Sequence, residues 1–312
     1  MRVLVTGGNG FLGSNLVKFL SEQEEIDEII SVGQSQLKRP NFPKEIYCTA
    51  DLRNFDFCRM LFRDYTPEWV FDFASILGGF EFINSSSAII MHDSTVMNLN
   101  VLDAAREYGA KKILFASSAC VYSRHIDLLK EENAYPVNPE NAYGLQKIFM
   151  ENLYTEYSTA YGIEVFLPRF QNIYGPYIPF SGPRAKGVAD ICRKIMIADE
   201  YVLLKGNGKQ IRDYTYSADA MEGVWKLIHS NFHEPLNISS GSGLSISEYA
   251  RVIMRVLGKN LEIRYDNEFG KGIFRRVSSN ELAKKVIQWE PTTSLEEGIS
   301  AMIEWVEKEL KK

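Results

Sequence analysis

The chain predicts an α/β fold, a doubly wound parallel sheet joined to a smaller, mixed C-terminal lobe. Three observations carry that prediction. Short β-branched runs alternate with helical patterns through the first half, and such alternation needs crossover helices on both faces of a parallel sheet. A glycine-rich turn joins the first run to the first helical pattern. Beyond residue 168 the alternation stops, and prolines and glycines set off short mixed segments.

The elements follow in order. Arg2 to Thr6 is a short strand closed by glycines, and Phe11, Leu12, Leu16, Val17 and Leu20 repeat at helical spacing after it. Further strands are expected at Glu28–Val32, Glu45–Cys48, Trp69–Ala74, Lys112–Ala116 and Val165–Pro168, with helical patterns between most of them. Pro176, Pro179 and Pro183 then mark a loop-rich stretch. A helix near Val188–Ile197, a strand over Tyr201–Lys205 and a turn at Gly206–Gly208 follow. This places a cofactor domain over residues 1–168 and a substrate lobe over 169–312. The second lobe is too loop-rich to fold alone, so its segments are expected to interleave with the first and form a cleft with it.

Composition excludes several classes. The 312 residues are 45% apolar and 24% charged, the balance of a globular protein rather than of a disordered, collagenous or disulfide-dense chain. The apolar runs are too short to span a membrane. A net charge of -5 lacks the basic footprint of a nucleic-acid binder, so an anionic ligand must be held by local donors. Cys48, Cys58, Cys120 and Cys192 lie far apart with no Cys-x-x-Cys pair, which suits a reduced, cytoplasmic chain. The strand at the very start leaves no room for a cleavable leader, so the Asn-x-Ser matches at Asn84 and Asn237 are expected to be idle. His229 and His233 are four apart but lack a following Glu and a third ligand, so no metal site is expected.

Gly7, Gly10 and Gly13 form a Gly-x-x-Gly-x-x-Gly turn between strand and helix, with Phe11 and Leu12 opening the helix. Backbone without side chains can approach a pyrophosphate there, and the helix N-terminus offers free N–H groups and a positive dipole end. This is the signature of a Rossmann-type dinucleotide site for NAD. The second strand of such a site usually ends in an acidic residue that holds the adenosine ribose. Here Gly33 and Gln34 stand there, with Lys38 and Arg39 nearby, so NADP stays open beside NAD. Asp51 and Leu52 follow the third strand, where an adenine contact fits, although Asp51 would serve equally as a helix cap.

Tyr143 and Lys147 sit at i and i+4 on an expected helix after Pro139 and so share a face. An ammonium beside a phenol favours phenolate, a general base for an alcohol. Tyr108 and Lys112 have the same spacing but straddle a helix end. Tyr201 and Lys205 have it on a strand, where four residues span roughly 13 Å. Ser118 follows the fifth strand, at the sheet edge where ligands of such folds sit, and can share the substrate proton.

With Gly7, Gly10, Gly13, Ser118, Tyr143 and Lys147 in place, the chain resembles the extended short-chain dehydrogenase/reductases, the nucleotide-sugar epimerases and dehydratases, over nearly its full length. Arg169–Pro176 is similar to that family's Arg-x-x-Asn-x-Tyr-Gly-Pro segment, and Gly206–Asp213 to its later Gly-rich strand pair. Within the family the likeness is greatest to the GDP-mannose 3,5-epimerase branch. It is carried by Leu77–Ile83, Ser117–Tyr122, Asn141–Lys147, Arg184–Lys186 and Cys192–Lys194. The resemblance implies Cys120 and Lys186 as an acid–base pair, where dehydratase relatives carry Asp-Glu at Ala119–Cys120. It further implies substrate contacts at Gly78, Gly79, Asn172, Lys186, Arg212 and Arg276, a GDP-linked hexose as partner, and a homodimer. The chain departs from the pattern at Gly33, at Gln171 in place of His, and at Ser279 in place of Asp.

The expected chemistry is C4 oxidation by Tyr143 with the bound cofactor, proton exchange at C3 or C5 by Cys120 and Lys186, and return of the hydride. The same oxidation could end instead in loss of water or in release of the 4-keto sugar. A silent NAD(P)-binding regulator is the reading from a different class. The full Ser118–Tyr143–Lys147 set argues against it, since a sensor has no need of one.

Overall fold

A computed structural model of the chain describes residues 1–139, 141–182, 184–266 and 273–311, the side chains of Phe80 and Glu81 aside. Its first half runs β1 (Arg2–Thr6), α1 (Phe11–Ser21), β2 (Glu28–Gly33), β3 (Glu45–Thr49), α2 (Phe55–Tyr65), β4 (Trp69–Asp72), α3 (Phe80–Ser85), α4 (Ser87–Glu107) and β5 (Lys112–Phe115). Next come β6 (Ser117–Ser118), a 3-10 turn at Ala119–Val121, β7 (Leu128–Leu129), a second 3-10 turn at Glu131–Ala134, α5 (Ala142–Tyr161), β8 (Glu164–Phe166), β9 (Pro168–Phe170) and β10 (Asn172–Tyr174). The rest is α6 (Gly187–Ile197), β11 (Tyr201–Lys205), β12 (Ile211–Tyr216), α7 (Ser217–Ile228), β13 (Leu236–Ile238), β14 (Gly243–Ser245), α8 (Ile246–Val256), β15 (Glu262–Asp266), β16 (Arg275–Ser278), α9 (Glu281–Ile287) and α10 (Leu295–Leu310). Pro183 of the loop-rich stretch lies outside the described residues.

The main sheet has six parallel strands in the order β3-β2-β1-β4-β5-β8. The order reverses at β1, so the glycine turn after β1 stands at the switch point where such sheets bind ligands. Successive side chains of a strand face opposite sides, and β1 shows it. Val3 and Val5 join the apolar cluster under α1 and α7, while Leu4 joins the cluster under α2, α4 and α5. The first cluster also takes in Ile238, Ala283 and Trp289, so later segments complete the packing of the early sheet. A third cluster, built on α6, α8 and α10, is the body of the C-terminal lobe.

Three expected strands end earlier than the apolar runs suggest, the one from Lys112 by a single residue at Phe115. The run from Trp69 leaves the sheet after Asp72, because the N–H groups of Phe73 and Ala74 turn to the Thr6 hydroxyl at 3.0 and 2.9 Å. The run from Val165 breaks at Leu167, and Pro168–Phe170 pairs instead with β6 and β13 in a separate three-stranded sheet. Proline lacks the N–H a central ladder needs, so a change of partner falls naturally there. β10, β12, β16 and β7 with β14 form a third sheet. In it Arg212 stands opposite Arg276, and Asn172 opposite Tyr214 two residues further along β12.

Candidate active site

The glycine turn is tightly built. Gly7 adopts φ +68, and a Cβ at Gly13 would meet the Gly7 carbonyl oxygen at 2.1 Å. The helix therefore starts hard against the strand end. Gly10 caps α1 without a side-chain acceptor and no acidic residue stands in its first turn, whereas α2, α5, α8 and α10 are capped by Asn54, Asn141, Ser245 and Ser294. The leading N–H groups of α1 at Phe11 and Leu12 thus have no side-chain cap, as is also true of α3, α4, α6, α7 and α9. Gly13→Ala forces two backbone segments apart. Binding of ADP-ribose, followed by calorimetry, is expected to weaken at least tenfold, and unchanged affinity would remove the turn from the binding site.

The ribose end differs from expectation in an instructive way. A Cβ at Gly33 would meet the Tyr47 hydroxyl at 2.4 Å, so Tyr47 fills the place an acidic side chain would take. Arg39 turns inward. Its guanidinium pairs with Glu45 at 2.8 Å, both side chains all but buried, and donates to the Gly8 carbonyl at 3.1 Å. Asp51 is held by Arg53 at 2.6 Å, which lowers its carboxyl to about 2. Leu52 is buried.

At the sheet edge, α5 presents Tyr143 and Lys147 on one face, both nearly inaccessible to solvent at 6% and 2% exposure. The Ser118 hydroxyl accepts the Cys120 N–H at 3.1 Å, capping the 3-10 turn, and lies beside the Tyr143 phenol, favouring its ionised form. A Cβ at Gly144 would meet the Cys120 carbonyl oxygen at 2.0 Å, so only glycine lets α5 seat Tyr143 this close to Cys120. Lys186 at the start of α6 donates to the Gly78 carbonyl at 3.4 Å, and Cys120 acts electrostatically on it. Burial lowers its ammonium to about 8. Ser118, Cys120, Tyr143, Lys147, Gly78 and Lys186 are therefore gathered in one place, and Gly79 caps the adjoining α3.

One expectation is corrected. Lys147 does not draw the Tyr143 phenol toward neutrality in this structure. Burial raises the phenol, the neighbouring Cys120 raises it further, and only Ser118 opposes. The Lys147 nitrogen lies 5.7 Å from the Tyr143 ring centroid, and burial lowers the ammonium itself to about 8. Desolvation outweighs the pairing that the spacing suggested.

The arginines reach less far toward open space than the resemblance implies. Arg212 folds back on the carbonyls of Ile211 and Ile273 at 2.8 and 2.9 Å. Arg276 hydrogen-bonds the Ala119 carbonyl, inside the turn that carries Cys120. Asn172 donates to the Asp213 carbonyl at 3.0 Å. Gln171 is buried and bonded to Ser278 at 3.1 Å, and Ser279 is buried beside it. His229 caps α7 and bonds Glu25, and among the described residues no cluster of His, Cys, Asp and Glu is arranged for a metal.

Sequence reasoning missed the layer beneath these residues. Glu151 and Arg169 pair at 2.6 Å with exposures of 2% and 1%, and Glu151 also takes the Ser117 hydroxyl. Asp72 is wholly buried among Thr6, Asn98 and Tyr154. The available signals were a carboxylate interrupting the apolar run Trp69–Ala74, and a glutamate four residues after Lys147.

The profile of the NAD dependent epimerase/dehydratase family matches residues 3–239. The chain belongs to that family. It is 33% identical over 321 aligned residues to GDP-mannose 3,5-epimerase 1 of Oryza sativa subsp. indica, covering 100% of this chain and 83% of the rice protein. Its fold is similar to that of UDP-glucose 4-epimerase of Thermotoga maritima solved with UDP-glucose, at TM-score 0.91 and 25% identity over 99% of this chain and 100% of that one. The UDP-glucose 4-epimerase of Thermus thermophilus complexed with NAD superposes at TM-score 0.85 and 25% identity, over 98% and 99% of the two chains. The family is one of NAD-dependent enzymes acting on nucleotide sugars, and no described helix is long and apolar enough to cross a membrane.

Proposed function

We propose that this protein is a nucleotide-sugar epimerase acting at C3 and/or C5 of a GDP-linked hexose through transient oxidation at C4. The observation that carries the reading is that Cys120 lies within electrostatic reach of both Tyr143 and Lys186. The full-length likeness to a GDP-mannose 3,5-epimerase supports it.

A nicotinamide cofactor, when bound, would supply a reversible hydride acceptor for C4. Tyr143 takes the proton of the C4 hydroxyl, with Ser118 sharing the hydrogen bond. The ketone so made acidifies the C3 and C5 hydrogens, since an enolate shares the charge. One of Cys120 and Lys186 removes a proton and the other delivers one to the opposite face, which inverts the centre. Lys186, lowered to about 8, is well placed to act in both protonation states near neutral pH. Tyr143 then returns its proton as the C4 hydroxyl is restored, so no reductant is consumed.

The glycine turn would seat the cofactor pyrophosphate, and NAD is the form favoured. Arg39, a cation that a 2′-phosphate would use, is committed to Glu45. Exposed apolar residues on α4 and α5, Ile89, Leu145 and Phe149, support a homodimer through these helices, which sedimentation at micromolar concentration checks. Four unpaired thiols agree with a cytoplasmic setting.

Incubation with GDP-mannose and other nucleotide sugars in heavy water tests the reaction. Deuterium entering C3 or C5 with no change of formula is the expected result. Loss of water would mark a dehydratase, net cofactor reduction a dehydrogenase, and no change with any sugar a silent binder. Cys120→Ala is expected to keep cofactor reduction within about threefold and to slow deuterium exchange by about 10²-fold or more. Exchange at the wild-type rate would end the role given to Cys120.

A further inference from the structure

Behind Lys147 lies a second buried charge that no step above uses. Asp72 ends β4 and is 0% exposed. Its Oδ1 accepts from the Thr6 hydroxyl at 2.6 Å, and its Oδ2 accepts from Asn98 Nδ2 at 2.9 Å and Tyr154 Oη at 2.6 Å. Burial raises the Asp72 carboxyl above the usual range, and the three donors and the Lys147 ammonium oppose it by favouring the carboxylate; the donors are neutral, so they solvate its charge without balancing it. Phe115 pairs with Asp72 in the β4–β5 register. The Lys147 ammonium lies 4.4 Å over the Phe115 ring, and the same ring stacks on Tyr154 at 4.7 Å. Asp72, Tyr154, Phe115 and Lys147 are thus one packed unit.

The negative charges acting on Lys147 are Asp72 from β4 and Glu151 from its own helix. Glu151 is already neutralised by Arg169, held through both carboxylate oxygens at 2.9 and 2.6 Å. The other titratable groups facing the pair are the phenols of Tyr143 and Tyr154 on α5 and the thiol of Cys58 on α2. Asp72 alone among them offers Lys147 an uncompensated opposite charge.

We propose that Asp72 is a positioning residue whose carboxylate is the buried counter-charge that keeps Lys147 an ammonium beside Tyr143. Its bearing on catalysis rests on the reading of Tyr143 and Lys147 as the oxidation pair. The charge coupling itself does not. Burial alone drives Lys147 toward the neutral amine, and a neutral amine gives a developing phenolate nothing. Asp72, beside Phe115 on the neighbouring strand, opposes that drive.

The test is a carbon-13 NMR titration of the protein labelled in its lysine side chains, with the Lys147 resonance assigned by its loss in Lys147→Arg. In Asp72→Asn the Lys147 midpoint is expected to fall by about one pH unit or more, and the pH profile of cofactor reduction by a nucleotide sugar to move upward. Tyr154→Phe removes a donor but leaves the charge, so its shift should be smaller. Asp72→Asn with Asn98→Asp moves the carboxylate to the neighbouring side chain and should restore most of the midpoint. An unchanged midpoint in Asp72→Asn, or an equal shift in Tyr154→Phe, overturns the proposal. So does a wild-type Asp72 whose own carboxyl carbon reads as protonated at pH 7, a measurement that needs no variant to fold. Failure of the epimerase reading would leave the lysine titration standing, which keeps the two outcomes distinct.

Discussion

Tyr143→Phe is expected to stop oxidation at C4 while leaving the fold intact. The side chain is buried, so its ring packing survives loss of the hydroxyl. What disappears is the group at the end of α5 that can accept the alcohol proton. Ser118 remains beside it, but a serine hydroxyl is a poor base on its own. General acid–base groups contribute about 10²- to 10⁴-fold, and a loss in the upper part of that range is expected, because proton removal and hydride departure belong to one step. Stopped-flow absorbance of the reduced cofactor on mixing with a nucleotide sugar measures it, with circular dichroism to verify the fold. In the wild-type protein the same rate should rise with pH on the acid side. The working form is the ionised phenol, and burial holds Tyr143 in the protonated form. The variant should lose that limb. A rate within tenfold of wild type, or an unchanged pH profile, would take the base role from Tyr143.

Glu151→Gln is expected to destabilise the whole molecule. Arg169 is 1% exposed. Besides Glu151 it donates to the Tyr122 hydroxyl at 3.1 Å and the Glu131 carbonyl at 2.9 Å. These neutral acceptors cannot balance a guanidinium charge. Removing one member of a buried pair leaves an uncompensated charge and costs about 3–5 kcal/mol. For a chain of this size that lowers Tm on the order of 10 °C. Glu151 also holds Ser117, next to Ser118, so cofactor reduction should slow with the loss of stability. A paired Glu151→Leu, Arg169→Leu variant should lose less, since no charge is stranded. Scanning calorimetry at one fixed rate compares the three, and a Glu151→Gln transition within about 2 °C of wild type would show that the pair is not held as tightly as its geometry indicates.

The two predictions differ in how much of their basis could be read from the amino acids. Tyr143 and Lys147 stand four apart behind Asn141, whose side chain caps the helix by accepting the Gly144 N–H at 3.0 Å. Gly7, Gly10 and Gly13 follow a β-branched run, and Ser118 closes another. Each signal spans about a dozen residues and concerns backbone preference, which neighbours in sequence largely decide. The parallel sheet and its switch point were therefore legible in the order of residues. Which groups share a buried space was not. Arg276 bonding the Ala119 carbonyl, Lys186 reaching Gly78, and Arg39 turning from the ribose to Glu45 join residues between 6 and 157 positions apart. The sign of the shift at Tyr143 is the clearest case. Spacing shows an ammonium nearby, but only the packed structure shows that water is excluded from both groups. Desolvation, which no local pattern records, then outweighs attraction, and the Asp72 carboxylate at the end of β4 acts against it on Lys147 of α5.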